Sequence, residues 1–372
     1  MRLAPALALV FTPFGLTWPL IANAETLETS AGTMDVTAVL DGLEEPWGLA
    51  FLPDGRFLVT ERDGRLLLAD ASGAVSVSGL PDVYAEGQGG LLDVMVPADF
   101  ETSCRVWLTW AAPVEGGSAT AAGFGTLSAD GTALEDLTPV FLAEAAEGGR
   151  HFGSRLVETA QGQVFVTTGD RGTGPEGLAA QDGGNAIGKV VLLNADGTPG
   201  VAVKGWRPGI WSIGHRNLQG AALDLSGRLL TVEHGAQGGD EVNAPAQGGN
   251  YGWPVISYGV NYGGDAIGEG TARDGMEQPL HYWDPSIAPS GLMVYSGALV
   301  PTWKGDVFTG SLNSDFLARL DPDSAAQTGW AEERLSSAET LRVRDVAEAP
   351  DGSIWFLSVG AGAVFRLAPA EG

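Results

Sequence analysis

The chain repeats one pattern of apolar and polar positions: an apolar run, a turn of Asp, Gly or Pro, then a second run rich in β-branched or aromatic residues. It occurs in "GLAFLPDGRFLVTE" with its turn at Gly55, in "SRLVETAQGQVFVTTG" at Gly162 and in "GAALDLSGRLLTVE" at Gly227. It recurs in "LVPTWKGDVFTG" at Gly305, in "VAEAPDGSIWFLS" at Gly352 and, with a longer turn around Glu101, in "LLDVMVPADFETSCRVWLTW". Alternating runs bounded by turn residues are hairpin signals, and no helical periodicity of useful length competes with them. Six related hairpins predict six small sheets. Open edges invite pairing with other chains, so repeated sheets of this size are best packed radially. The expected fold is all-β, a six-bladed β-propeller, with a stacked pair of sheets as the alternative.

In a radial arrangement, equal offsets from the turn glycine fall at equivalent places in different blades. His151 lies eleven residues before Gly162, Arg216 eleven before Gly227, and Arg342 and Arg344 ten and eight before Gly352. Gln88 holds the corresponding place in the second unit. These side chains are therefore expected to converge on one end of the central channel. "LRVRDV" alternates, which predicts Arg342 and Arg344 on one strand face about 7 Å apart, repelling by roughly 2 kcal/mol at an effective dielectric of about 20. Either both face open water or an anion sits between them, and guanidinium forks suit a carboxylate. His151, in "GGRHFGSRL", is either a hydrogen-bonded turn residue or a general base. In "IWSIGHRNLQG", His215, Arg216 and Asn217 crowd a strand entrance, as turn chemistry or as a grip on a ligand.

Composition narrows the partners. The 372 residues are 44% hydrophobic, enough for a substantial core, but Lys and Arg number 20 against 46 Asp and Glu, a net charge of -26. Such a surface repels phosphate backbones and anionic lipid, which excludes nucleic acid and membrane association as its business. The first 24 residues, "MRLAPALALVFTPFGLTWPLIANA", combine an early cation, an apolar stretch and a small-x-small ending, the pattern of a secretory signal cut after Ala24. A membrane anchor is the other reading of that stretch, but Pro5, Pro13 and Pro19 interrupt it. A periplasmic or secreted protein with one domain over 25–372 is expected. Cys104 is the only cysteine, so no intrachain disulfide can form.

The densest segment is "EHGAQGGDEVNAPAQGGNYGWP", residues 233 to 254, where glycines free the backbone and Asp240 and Glu241 add anionic oxygens. Mixed oxygen donors of this kind suit Ca²⁺; a solvated acidic loop is the other reading. His215, His234 and His281 lack the short spacing of a zinc cluster. "GNAIGKVVLLNADGTP" lacks the glycine spacing and following helix of a nucleotide loop and reads as strand, turn and strand.

Taken in order, "GQGGLLDV", "HFGSRL", "VTTGDRG", "GKVVLLNADG", "IWSIGHRNLQG", "EHGAQGGDE", "GGNYGWP", "PSIAPSG" and "RVRDV" resemble the soluble pyrroloquinoline-quinone (PQQ) dependent sugar dehydrogenases, nearest their aldose sugar dehydrogenase branch. The resemblance runs from about Thr37 to Leu367. It implies a six-bladed propeller with PQQ, a tricarboxylate ortho-quinone, over one channel end. By similarity Gln88, Arg216, Asn217, Arg342 and Arg344 hold the cofactor, and His151 takes the proton of the anomeric hydroxyl while hydride passes to the quinone. One Ca²⁺ would bridge PQQ and the carbonyls of Gly235 and Ala236; a second would use Glu241 and Tyr251. The implied partners are an aldose and an external electron acceptor.

Three positions depart from that pattern. Asn313, in "FTGSLNSDF", stands where the family usually offers PQQ a lysine, and Ala236 replaces the usual proline. Arg150 stands where the glucose-oxidising branch carries an acid, so glucose specificity is not implied. A propeller that binds without redox chemistry, or a calcium-dependent lactone hydrolase, are the other functions compatible with this sequence.

Overall fold

The computed structural model describes residues 25–70, 72–172 and 178–370, so the expected secretory signal lies outside the described residues. Five of the six expected hairpins form the inner half of an antiparallel blade; in the fifth the run before Gly305 is a short 3-10 turn, Pro301–Trp303, and the inner strand that pairs with Val307–Ser311 is the earlier Pro289–Val294. The first blade consists of Pro46–Phe51, Phe57–Glu61, Arg65–Asp70 and Gly73–Val77, numbered outward from the axis. The innermost strands of the next five are Leu91–Met95, Gly153–Glu158, Leu218–Leu223, Pro289–Val294 and Val343–Glu348. Each contacts the next around the axis, and Val343–Glu348 returns to Pro46–Phe51, closing the ring. The architecture is the expected six-bladed propeller rather than two stacked sheets.

Second strands lie between neighbouring blades, and their sequences reflect it: Phe57–Glu61, Val164–Thr168, Leu229–Glu233 and Val307–Ser311 are buried at every position. Strands covered on both faces must be apolar or small throughout instead of alternating. Between the fourth and fifth blades, for example, Leu230 and Val232 pack with Phe316 and Leu320. The longer turn around Glu101 holds a single helical turn, Phe100–Ser103, which ends at Cys104 in the left-handed conformation (φ 50°).

The last blade is completed from the other end of the chain. Gly32–Leu40 pairs antiparallel with Ala363–Pro369, Val36 opposite Leu367, and Glu25–Thr29 pairs beyond it. The N-terminal segment thus covers the edge that the C-terminal blade would otherwise expose and joins the two ends of the ring.

The channel is blocked at its middle by a buried ion cluster. Arg155 Nη1 lies 3.1 Å from Asp93 Oδ1 and 2.9 Å from Asp345 Oδ1, its Nε donates to the Gln219 carbonyl (2.7 Å), and its Nη2 donates to the Arg344 carbonyl (3.0 Å). The guanidinium lies 4.1 Å from the ring centre of Trp47. Asp93 also accepts the Leu156 N–H, and Asp345 that of Leu49, both within 2.9 Å. Five blades therefore meet at one cation. The backbones come close enough that a methyl at Gly291 would lie 2.0 Å from Asp345 Oδ1, leaving room there only for glycine. Above the plug is a cavity of about 360 Å³ and below it one of about 210 Å³.

Burial pushes the Asp93 carboxyl up to about 6 and Asp345 upward too, with Arg155 the main opposing influence on each. Carboxyls raised in the folded state lose stability as pH rises through their folded values, and without Arg155 those values climb further. Arg155→Ala is expected to cost about 3–5 kcal/mol at pH 7.5 and distinctly less at pH 5. Urea unfolding at the two pH values measures this; equal losses would contradict it.

Candidate active site

The N-terminal ends of the innermost strands all open on the same end of the channel, and the 360 Å³ cavity collects what they carry. Its wall includes Gln88 from the second blade, Asn217 and Gln219 from the fourth, Asn313 from the fifth and Arg342 and Arg344 from the sixth. Trp47, Arg62, Phe152 and His234 complete the polar and aromatic lining. Of the residues expected to meet at a cofactor, five line this cavity directly. Arg216 and His151 sit immediately behind it: His151 donates its backbone N–H to Gln88 Oε1 (2.7 Å), and its neighbours Phe152 and Gly153 form part of the wall.

Arg342 arrives by a different route from the one alternation predicts. The strand begins at Val343, and Arg342 precedes it in the left-handed conformation (φ 51°), its N–H bonded to Asp315 Oδ1 and its Nη1 to the Leu312 carbonyl. The two arginines therefore do not share a strand face. A turn and a strand deliver them to one cavity. The reading of residues 184–199 needs a similar correction: the strand is Val190–Leu193, a turn follows, and only an isolated bridge, Leu193 to Pro199, continues it.

Electrostatically the cavity is the inverse of the protein around it. Among the described residues Arg62, Arg342 and Arg344 line it, and none of its described lining residues is a carboxylate. Among the described residues Arg342, Arg344 and Arg216 form no salt bridge; Arg344 Nη1 donates instead to Gln219 Oε1 (2.9 Å). Burial, with the like charges of Arg155, Arg342 and Arg62, pushes Arg344 down to about 9. Arg216 is 6% exposed, its Nη1 donates to the His234 carbonyl (3.2 Å), and its buried Nε has no hydrogen-bond partner. Unpaired guanidiniums and an orphaned donor define a seat for a polyanion. Asn313 adds no charge: its Nδ2 donates to the Ser286 carbonyl (3.1 Å) and its Oδ1 accepts from Ser314 (2.7 Å).

His151 is paired with a residue that the offset argument missed. Asp170, in the "TTGDRG" turn after Val164–Thr168, holds His151 Nδ1 at 2.5 Å and accepts the Trp253 indole N–H at 2.8 Å and the Gly172 N–H at 2.8 Å. Burial pushes the Asp170 carboxyl up, but its bond to His151, the nearby Arg216 and the Gly172 N–H outweigh this and leave it below the ordinary carboxylate range. An ionised carboxylate accepts a hydrogen bond from Nδ1–H, which keeps the proton on Nδ1 and leaves Nε2 as the acceptor. Burial pushes His151 below 6.5, assisted by Arg216 and Arg150 and opposed by Asp170. The histidine is thus a neutral, oriented base at neutral pH. Asp170 was discoverable only as an unassigned acid in a glycine turn, with nothing in its spacing to link it to His151.

Beside the cavity, sharing His234 with it and bounded also by Arg216, lies a second opening of about 10 Å³, the size of one ion or water, with Gly235, Glu233, Glu241 and Tyr251 around it. Burial and the neighbouring charge of Glu233 push Glu241 up to about 8. Asn243 donates to both carboxylates at 3.0 Å, while its own buried Oδ1 has no partner. An excess of buried oxygen acceptors fits a hard cation such as Ca²⁺. The Tyr251 hydroxyl is engaged by Ala244 and Ala246, which leaves its main-chain carbonyl as the oxygen it can offer. Gly235 belongs to this opening, but Ala236 packs toward Ala180, Trp253 and Ile267 and bridges to Gly238. His215 points away from the large cavity. Its Nδ1 meets Glu233 Oε1 and its Nε2 Ser212 Oγ, each at 2.8 Å, and its ring stacks on Tyr251.

A six-bladed propeller with a cationic cavity and a histidine–carboxylate pair at one channel mouth defines a class of enzyme-like sites. The chain belongs to the glucose/sorbosone dehydrogenase family, whose model matches residues 43–366. It is 38% identical to the aldose sugar dehydrogenase YliI of Escherichia coli over 94% of this chain and 97% of that protein. The crystal structure of the soluble E. coli aldose sugar dehydrogenase in its apo form superposes with a TM-score of 0.84, at 37% identity, over 91% of this chain and 100% of the other. The PQQ-bound aldose sugar dehydrogenase of Streptomyces coelicolor superposes with a TM-score of 0.72, at 26% identity, over 90% and 97%.

Asp170→Asn is expected to lower turnover by about 10² or more by letting the imidazole adopt the wrong tautomer, while leaving the affinity of the arginine-lined cavity for an anion unchanged. In the unaltered protein the acid limb of the pH–rate profile should lie below pH 6.5, the ordinary histidine value, because only the neutral base works. A profile that falls between pH 7 and 8 on acidification would remove His151 from that role.

Proposed function

We propose that this protein is a PQQ- and Ca²⁺-dependent dehydrogenase that oxidises the anomeric carbon of aldose sugars to lactones and passes the electrons to an external acceptor. The observation that carries the reading is the unpaired arginine cluster in a cavity whose wall is backed by an oriented, neutral His151. Bound PQQ supplies an ortho-quinone able to accept a hydride. Arg342, Arg344 and Arg216 would hold its carboxylates, with Gln88 and Asn217 as neutral hydrogen-bonding partners. His151 Nε2 would remove the proton of the C1 hydroxyl, and Asp170 would stabilise the imidazolium that results. The substrate thereby loses a hydride from C1 and a proton from O1, which is the change from aldose to lactone.

Calcium has two proposed positions. Glu241 and the Tyr251 carbonyl would hold one ion, relieving the repulsion between Glu241 and Glu233. The carbonyls of Gly235 and Ala236 would hold an ion at the cofactor. With alanine in place of the family's proline at 236, that backbone is less restrained. Asn313, lacking the lysine charge, would make PQQ retention rest more heavily on Arg342 and Arg344. The N-terminal secretory pattern supports placement in the periplasm or outside the cell. Among the described residues no helix is long and apolar enough to cross a membrane.

Two other functions fit less well. A calcium-dependent lactone hydrolase needs its cation exposed to substrate, whereas among the described residues the open cavity presents guanidiniums and no carboxylate. A binding module has no use for a buried His–Asp pair. Purified apoprotein should reduce a dye with an aldose only after PQQ and Ca²⁺ are added; no bleaching under those conditions rejects the proposal. Two variants separate the roles. His151→Ala should lower turnover by about 10² to 10⁴ with PQQ retained, while Arg216→Ala should chiefly weaken PQQ binding in calorimetric titration. Chelating calcium should lower the melting temperature of the apoprotein, and adding it back should restore it.

A further inference from the structure

Lys189, immediately before the strand Val190–Leu193, is completely buried and forms no salt bridge among the described residues. Its Nζ is enclosed by oxygen: the carbonyls of Ala179 (2.8 Å), Ala180 (3.1 Å) and Ile187, with Asn185 Oδ1 at 3.4 Å. Burial pushes the amine down to about 7, with Asp182 and Glu144 opposing. It is therefore an ammonium over the range in which His151, lying below 6.5, changes charge. Burying a cation is costly unless its donors are used, and here every one of them ties the short segment 179–187 to the third blade. The arginine-lined cavity and the acidic opening make no use of this residue.

That segment supports Trp253. Gln181, at the end of the 3-10 turn Leu178–Gln181, donates from Nε2 to the Trp253 carbonyl (2.8 Å) and exchanges side-chain hydrogen bonds with Asn250 (2.7 and 3.0 Å). Ala180 packs on Trp253 and its carbonyl accepts the Gly214 N–H (2.8 Å), while the Gly214 carbonyl accepts the Trp253 N–H (2.9 Å). The indole is thereby aimed at Asp170 Oδ2, and Asp170 Oδ1 holds His151. The backbone of Lys189 meets the same carboxylate from the other direction. Its N–H donates to Thr168 Oγ1, its carbonyl accepts the Thr168 N–H, and the Gly188 N–H donates to the Gly169 carbonyl, each at 2.9 Å. One residue fixes both the strand end that carries Asp170 and the ring that hydrogen-bonds it. A donor on a carboxylate satisfies part of its charge, so a neighbouring imidazolium gains less from it. We infer that Lys189 is a positioning residue for the His151–Asp170 pair, and that by holding the Trp253 indole on Asp170 it sets the basicity of His151. The importance of that basicity for turnover rests on the dehydrogenase reading above; the effect on the imidazole does not. The competing role for Lys189 is purely structural, holding segment 179–187 in place.

Titration of the histidine resonances by NMR in the full-length protein distinguishes these, since the chain has only 4 histidines and His151→Ala identifies the signal. The variants are Trp253→Phe, Gln181→Ala and Lys189→Met. The charged groups that face His151, namely Asp170, Arg216 and Arg150, are unaltered in all three, and Arg171 beside them turns to Ser118 and Phe152. Trp253→Phe keeps a ring for Arg216 to lie over but lacks the N–H, and should raise the His151 pKa by about 0.5 or more. Lys189→Met and Gln181→Ala should move it in the same direction, and combining either with Trp253→Phe should add nothing further. In PQQ-loaded protein the acid limb of the pH–rate profile should move with it. A purely structural lysine would lower the melting temperature in Lys189→Met and leave His151 titrating as in wild type, which overturns the inference. So would an unmoved His151 in Trp253→Phe, or shifts that add in the double variants. Should Lys189→Met not fold, Gln181→Ala, which breaks the same link one step further along, decides the matter. If the titrations shift as expected but the wild-type protein oxidises no aldose, the dehydrogenase reading falls and the positioning role stands.

Discussion

Arg155 can remain charged at the centre of the ring only because Asp93 and Asp345 flank it, and the rest of the molecule is arranged around that fact. Removing three charges from water costs several kcal/mol each unless geometry and hydrogen bonding return it. Here two carboxylates, two main-chain carbonyls and an indole face surround one guanidinium. An ion pair of this kind is weak evidence for stability compared with an apolar core. What it does supply is register: five inner strands must stand at fixed heights for the contacts to form together. The same strands carry the cavity residues a few positions earlier, so the plug sets the level of the site floor.

Above that floor, charge is arranged against the average of the protein. A chain of net charge -26 gathers Arg62, Arg342 and Arg344 in one opening, with Arg216 just behind. The acidic exterior discourages polyanions at large, while the cavity rewards a small, flat anion that can reach the guanidiniums. Arg344, pushed down to about 9 by burial and like charges, carries the electrostatic cost of gathering these guanidiniums. A bound tricarboxylate would offset that cost. The apolar walls, Trp47, Leu92 and Phe152, set the field in a low dielectric where each such contact counts for more.

His151 and the acidic opening are linked through the same segment. Trp253, which donates to Asp170, follows Tyr251 by two residues, and Tyr251 stacks on His215, whose Nδ1 meets Glu233. A cation at Glu241 and Glu233 would therefore stiffen the 250–254 segment that supports the His–Asp pair. Family membership and the solved relatives place the chain among sugar dehydrogenases.

How much of this was legible beforehand differs by element. The hairpins were, because a strand pair with its turn is a local object whose alternation and glycine are written in consecutive residues. The convergence of Gln88, Arg342 and Arg344 was legible too, since radial repetition turns equal offsets into equal places, whereas Asn217 and Asn313 were expected at the cavity only from the family resemblance. Arg342 shows the limit: its arrival depends on a left-handed turn that alternation cannot express. Asp170 and the strand Gly32–Leu40 were not legible at all. The first is joined to His151, and the second to Ala363–Pro369, by contacts between distant segments. Arg155 belongs with them, because a buried cation in "SRLVE" reads as an ordinary polar residue until three other blades bring it their carboxylates and carbonyls. The sequence by itself determined the repeat, the acidity and the residue types available at the channel mouth. Only the tertiary structure decided which side chains share a proton, which charges go unpaired and which ends of the chain meet, since those depend on distances that ring closure creates.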